Sequence, residues 1–571
     1  MLRAAMAAPT RDARTIRTWT RLGVIAIGSV LGSVAAAPMA HGALPPASPE
    51  ARIDLGLLEL RVVLALLGLG LFVAGVALRR RGEVEASRSP RRILLGAVAF
   101  AAFAANYNLF IWTGLHRHEL YHYYVGSKYF PELGYFGLYV CSVQAATENG
   151  FDPGTLTEMT DLRTKEQRTA VEVLSAATPC RERFAAERWQ AFRADVAGFR
   201  AWMGDPLWSG VLRDHGYNPS PAWTLFGRSI ASVIPGTPTG LWIIAKLDTL
   251  VLLALFAALA ASFGFEAACL FAIAWGTCGH TRYQWTGDAF LRQLWLATSF
   301  GGLAMLRRGR PAAGGALLAV ATLERVFPGA FFLGFGAREL CHWARQRRVS
   351  PELWRFAAGA GAAALLTALL ATWVAGRGFG AWREFGENTR GMLSFTPKNA
   401  LGLDYALSFT TVPPPEGLGQ NETERAEIVQ AYRKRTLEAR APWRVAGLAL
   451  FSALFATAAW RGAARERGGT LRLEAWEATA LGAAAIPFLT MPGSYYVGFV
   501  LVGALLATRR WRSGAALLLA CAAWSLCLAV YGARALAFAS SSWVLLAYSL
   551  WILADAAFVP ADETPAPLSD A

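Results

Sequence analysis

Apolar residues along this chain gather in long runs almost free of charge, rather than in the three-and-four or alternating rhythm of a half-buried surface helix or strand. Such runs fall at about 22–42, 55–78, 93–114, 241–263, 265–280, 290–306, 356–375, 443–460, 478–493, 495–508, 514–531 and 542–558. Stretches of about 18 apolar residues or more are long enough to cross a hydrocarbon layer of about 30 Å. The pattern predicts an all-α polytopic membrane protein, a bundle of about a dozen transmembrane helices. The run at 22–42 follows a basic segment and ends in APMAHGA, which fits a cleaved signal peptide or a retained first helix. Its length, and the second run close behind it, favour the retained helix.

One segment breaks the pattern. PAAGGALLAVATLERVFPGAFFLGFGA at 311–337 lies between RRGR and RELCHWARQRR, basic at both ends. Basic short loops stay on the cytoplasmic side, so the segment predicts two short helices folded back at LERVFP, where Pro328 lacks an N–H. That hairpin would carry Glu324 and Arg325 deep into the membrane or to its far side, and ionisable residues at such depth point to function. The plainer alternative is one crossing with Glu324 and Arg325 paired structurally.

Charge then orients the chain. Residues 54% hydrophobic and 17% charged, with a net charge of +15 carried largely by arginine in short loops, report membrane orientation and not nucleic-acid binding. The loops RRRGEVEASRSPRR, RGAARERGG and RRWRSG predict the cytoplasmic face. This divides the chain into an N-terminal part, 1–92, with two extra helices; a membrane catalytic domain, 93–558, with external loops 115–238 and 376–442; and a cytoplasmic tail, 559–571. No P-loop and no cytoplasmic loop large enough for a nucleotide-binding domain are present, which argues against an ATP-driven pump.

The first external loop has structure of its own. Phe184, Trp189, Phe192, Val196 and Phe199 form one apolar stripe at helical spacing. The stripe fits an interfacial helix lying along the bilayer, or a helix packed on the loop's own core. Cys141 and Cys180 share this loop and can pair if it lies outside the cytoplasm. The other five cysteines fall in or beside apolar runs and form no CxxC pair.

The candidate chemistry sits where the 93–114 run ends, in LHRHELYHYYVGSKYFPELGYFGLY. HELYH fits HExxH, which places two histidines one helical turn apart on zinc with a glutamate as base. A zinc peptidase would use His118, Glu119 and His122, and needs a third ligand, for which Glu148, Asp152 and His215 are candidates without a familiar spacing. The longer run resembles the first-loop signature of membrane glycosyltransferases of the type-C fold, nearest to the polyprenyl-phosphate-mannose-dependent branch. Glu119 takes the place of the carboxylate at the exit of an early helix, Tyr121 or Tyr123 the following tyrosine, and Gly134 to Tyr139 the later glycine–tyrosine turn. GDAFLRQLWLATSFGGLAMLRRGRPAAGGALLAVATLERVFPGAFF looks like that branch's paired segment, with Arg325, Phe327 and Pro328 in the basic, aromatic and proline positions. WREFGENTR with NALGLDYALS resembles its later polar stretch. His118–Glu119 stands where many type-C enzymes have Asp-Glu, and Arg325 where the branch usually has lysine.

The resemblance implies transfer of a sugar from a polyprenyl-phosphate-linked donor to an acceptor hydroxyl on a glycan, lipid or protein. The expected place is the extracytoplasmic face of a bacterial inner or cell membrane. Such a transfer needs a base for the hydroxyl proton, which points to Glu119, with His118 and His122 orienting it, binding sugar hydroxyls or sharing a divalent metal. Fixed positive charge must meet the leaving phosphate, with Arg325, Arg282, Lys128 and Lys398 as candidates. Tyr121, Tyr123 and Asn399 are candidate substrate contacts. The arrangement expected is Glu119 facing Arg325 across one outward-opening chamber. Besides the peptidase, a protein that binds or transports a lipid or envelope precursor without chemistry fits the same cavity.

Overall fold

The computed structural model describes residues 49–81, 89–110, 114–393, 397, 399–410, 422–464, 472–532 and 535–561. The predicted run at 22–42, Lys398 and the end of the tail lie outside them. The chain is mostly helical, and among the described residues six helices are long and apolar enough to cross a membrane: Leu57–Arg80, Pro238–Phe263, Pro351–Ala375, Ala441–Gly462, Trp511–Tyr531 and Ala535–Phe558. Several other apolar runs form shorter helices, Phe265–Thr277, Pro311–Glu324, Ala475–Leu489 and Ser494–Leu506. Hydropathy counts residues without regard to the glycines, prolines and 3-10 turns that break a run, so the predicted crossings that fall among the described residues resolve into long and short pieces. One two-stranded antiparallel hairpin, Glu158–Thr160 with Gln167–Thr169, is the exception to the all-helical expectation.

Helix starts are written in the sequence. Ser220-Pro221, Thr237-Pro238 and Ser350-Pro351 each put a hydroxyl N-cap before a proline at the first helical position. The hydroxyl accepts a backbone N–H and the proline loses none that the helix needs; such caps contribute about 1 kcal/mol each.

The hairpin at 311–337 is present. The Pro311–Glu324 helix ends at Glu324, Arg325 is extended, a 3-10 turn follows at Phe327–Gly329, and the Ala330–Gln346 helix returns. Its basic ends gather with others at one end of the bundle: Arg307 pairs with Glu474 at 2.7 Å, Arg338 donates to the Leu473 carbonyl, and Arg509 reaches Glu474 and Glu477. Glu324 is buried, and no ion pair joins it to Arg325, which turns to the Tyr123 hydroxyl instead.

Helices approach through glycine, as apolar helices in lipid do. A Cβ on Gly334 would overlap the Ala478 carbonyl, and one on Gly482 would overlap that of Ala330, so the Ala330–Gln346 and Ala475–Gly482 helices touch backbone to backbone. Gly336, two residues on, would meet nothing within 4 Å. Gly334→Ala is expected to lower thermal stability by about 1–3 kcal/mol through overpacking, and Gly336→Ala to leave it equal or slightly higher. Equal melting temperatures for the two variants in one detergent would refute the contact.

Residues 115–234 fold over the end of the bundle opposite the basic cluster. This cap has its own core, in which Tyr121, Tyr124, Tyr129, Tyr135, Tyr139, Trp208 and Trp223 are fully buried. The stripe Phe184, Trp189, Phe192, Val196 and Phe199 faces that core, so the Ala186–Met203 helix is not an interfacial helix as the fold expectation allowed. A stripe at helical spacing looks the same whichever apolar partner it meets. Cys141 and Cys180 form a disulfide. The Gly380–Leu393 helix of the 376–442 loop docks on the cap: Arg377 donates to the Pro131 carbonyl, Glu384 accepts from the Tyr135 N–H, and Asn388 donates to Asn218.

Candidate functional site

HELYH begins with a short helix, Arg117–Leu120, whose N-cap is His116: its ring nitrogen accepts the Glu119 backbone N–H. A π turn, Tyr121–Val125, follows directly. The His116 N–H donates to the Asp288 carbonyl, fastening this start to the turn at 288–293.

That turn delivers the partner of Glu119. Asp288 and Leu291 both adopt positive φ, +42° and +48°, a backbone costly for side chains with a Cβ. Several contacts hold it. Asp288 receives the Lys246 ammonium at 2.5 Å and the Tyr283 hydroxyl at 2.7 Å. Asp248, on the Pro238–Phe263 helix, accepts the backbone N–H groups of Arg292 and Gln293, both at 2.9 Å. Arg292 is thereby fixed with its guanidinium in an ion pair with Oε1 of Glu119, the two side chains only 6% and 15% exposed. Burial opposes the charge on Glu119, but Arg292, His116 and His122 together outweigh it and hold the carboxyl below its ordinary value, so Glu119 is a carboxylate at neutral pH.

The partner expected for Glu119 was Arg325. The structure puts Arg292 there instead and places Arg325 one contact further on. Arg292 lies over the Tyr495 ring at 4.3 Å and the Tyr496 ring at 5.6 Å; Arg325 lies over Tyr496 at 5.3 Å and donates to the Tyr123 hydroxyl at 3.1 Å. Glu119, Arg292, Tyr496, Arg325 and Tyr123 thus form one continuous chain of contacts. The Nε–H groups of both arginines are buried without a hydrogen-bond partner among the described residues, and buried donors left open call for an acceptor. The tyrosines are held by a short bridge between Ala400 and Gly493, in which the Asn399 carbonyl accepts the Ser494 N–H at 2.7 Å. Asn399 therefore supports the Tyr495–Tyr496 turn through its backbone.

His118 and His122 are bonded to groups of the cap, not to Arg292. His118 Nε2 meets the Asp214 carboxylate at 2.8 Å. Burial opposes a proton on His118, but Asp214 overcomes this and raises it, while Asp214 itself is held low. His122 donates from Nδ1 to the His118 carbonyl and accepts from the Tyr139 hydroxyl at Nε2. Burial, then the nearby His118 charge, depresses His122 to about 4, so it is neutral at pH 7. His118, His122 and Asp214 bring three metal-capable atoms within 4.8 Å of one another. The third member is thus Asp214, not Glu148, Asp152 or His215: Glu148 binds Trp189 and Arg193, and Asp152 caps the Pro153–Thr155 turn.

Two further expectations are corrected. Lys128 pairs with Asp195 at 2.7 Å and donates to Tyr124, inside the cap and not beside Glu119. Tyr121 is fully buried and donates to Ser142, a core contact with no face for substrate. Arg282 is buried over the Trp285 ring, in the neighbouring 279–286 turn. The open cleft on the cap, about 390 Å³ and lined by Asp152, Arg200 and Asp205, is separate from this cluster.

Arg292, Tyr495, Tyr496 and Asp248 are what sequence reasoning missed. Two had a signal: Asp248, with Lys246, interrupts an apolar run, and Arg292 lies at the start of another; the tyrosines had none. Comparison with models of known protein families, with curated proteins and with solved structures finds no match to this chain.

Proposed function

We propose that this protein is a membrane glycosyltransferase that moves a sugar from a polyprenyl-phosphate-linked donor to an acceptor hydroxyl at the extracytoplasmic face. The observation that carries the reading is the juxtaposition of one buried carboxylate with two guanidinium groups around a shared tyrosine, Tyr496. Glu119 keeps Oε2 without a hydrogen-bond partner among the described residues and takes the acceptor's proton there. The acceptor oxygen bonds the anomeric carbon as the bond from that carbon to the phosphate oxygen breaks. The electron pair leaves with the polyprenyl phosphate, whose growing charge meets the open Nε–H of Arg325. Two features support the side of the membrane: the disulfide in the cap, which persists in oxidising compartments, and the basic loops gathered at the opposite end.

A zinc peptidase would use the same Glu119 as base toward a metal-bound water, and the two readings part on the product formed. The test is transfer from a radiolabelled polyprenyl-phosphate sugar by the purified protein in lipid. Arg325→Met is expected to lower kcat/KM by about 10- to 100-fold, the worth of one or two charge-assisted hydrogen bonds, with Arg325→Lys recovering part of it. Absence of any labelled product across mannosyl, glucosyl and aminopentosyl donors, or full activity in Arg325→Met, would remove this reading.

A further inference from the structure

We infer that His118, His122 and Asp214 form a binding site for a divalent transition cation of the zinc type. The inference stands apart from the proposed sugar transfer and would hold if that reading failed.

Three observations carry it. The first is the donor set: two imidazoles and a carboxylate converge on one point, with ring centroids of His118 and His122 4.8 Å apart and His118 Nε2 2.8 Å from Asp214 Oδ2. Two nitrogens and one oxygen are the ligands that borderline cations such as zinc take, with a fourth position left to water. The second is the tautomer. A carbonyl can only accept, so the Nδ1 of His122 must carry its hydrogen to bond the His118 carbonyl at 2.9 Å, and Nε2 is the lone-pair atom. Metal-ligating histidines are oriented in this way, with the second nitrogen donating to a backbone carbonyl or carboxylate. The third is access combined with fixation. His122 is buried and hydrogen-bonded at both ring nitrogens, whereas His118 and Asp214 are 32% and 42% exposed, which gives a hydrated ion a route in.

Without metal, the His118–Asp214 contact and the Tyr139 hydroxyl satisfy the same atoms. Tyr139 accepts the Gly216 N–H at 2.9 Å and donates to His122, so the segment 214–216 is already strapped to the HELYH turn at two points. A cation would replace the Tyr139 hydroxyl at His122 and lie between His118 and Asp214. Its role is positional: it would clamp the Asp214 loop onto the helix that carries Glu119.

The experiment uses the full chain in detergent, stripped with a chelator and titrated with zinc chloride, and separately loaded with cobalt(II). One equivalent of zinc is expected by elemental analysis. Asp214→Asn, His118→Ala and His122→Ala should each weaken binding by at least about 10-fold, whereas His116→Ala, outside the donor set, should not. Cobalt in the unaltered protein should give the intense visible bands of a four-coordinate ion, and zinc absorption spectra a first shell containing two imidazoles, which needs no variant to fold. Zinc below about a fifth of an equivalent, or zinc retained in the Asp214→Asn/His118→Ala double variant, means an adventitious ion only and overturns the site. Zinc released with peptide cleavage activity would overturn the positional role.

Discussion

Glu119→Gln is expected to abolish sugar transfer and also to weaken the fold, while Glu119→Gln combined with Arg292→Met restores the fold and leaves transfer dead. Two effects of different origin meet at this residue. As the base, Glu119 contributes about 10²- to 10⁴-fold in rate. As the partner of Arg292, it neutralises a guanidinium that is almost wholly buried. Breaking one side of a buried pair costs about 3–5 kcal/mol because the other charge is left stranded, whereas replacing both sides with uncharged groups of similar volume is often neutral. The single variant alone therefore cannot separate catalysis from folding, and the pair of variants can. Melting temperature should fall in Glu119→Gln and recover in the double variant, while labelled product stays at background in both. Transfer recovering together with stability would show that the carboxylate only balances Arg292, and the base would have to be sought elsewhere.

Replacing Cys141 and Cys180 together with alanine is expected to melt the cap well below the bundle. The bond ties positions 39 apart in sequence, and on the chain-entropy account a loop of that size contributes about 4 kcal/mol. Both cysteines are buried, Cys141 within the Leu138–Glu148 helix, and the Cys180 N–H donates to the Gln144 side chain at 2.8 Å, so the crosslink is part of the packed core. Trp189, Trp208 and Trp223 lie in this core, and intrinsic fluorescence should resolve an early transition that the unaltered protein lacks. The same early transition should appear after denaturing, reducing and refolding under reductant. Free reaction of both cysteines with a maleimide in denatured, unreduced protein would show that no such bond forms.

Much of this arrangement was legible in the chain, and the illegible part has a common cause. The LERVFP break, the HELYH cluster at the end of an apolar run and the pairing of two loop cysteines rest on local chemistry: a proline without an N–H, ionisable groups in apolar sequence, and thiols in one hydrophilic segment. The partners do not. Arg292 reaches Glu119 across 173 positions, Asp214 reaches His118 across 96, and Tyr496 joins the two arginines from yet another segment. Only the packing of helices brings these together, and one sequence carries no record of which distant charges meet. The apolar stripe at 184–199 was visible as a stripe, but its partner was not.

The π turn at Tyr121–Val125 sets how this motif can be compared with any other. A π turn is an α-helix holding one residue too many, and here it lies between the groups bound to Arg292 and Asp214 on one side and the Lys128–Asp195 anchor on the other. The turn absorbs that surplus residue, so deleting it would leave an unbroken helix with the residues beyond it near their present orientation relative to Glu119. A protein with the same architecture and an unbroken helix would carry the carboxylate and the lysine one step closer together, so a fixed-spacing pattern drawn from this chain would pass over it.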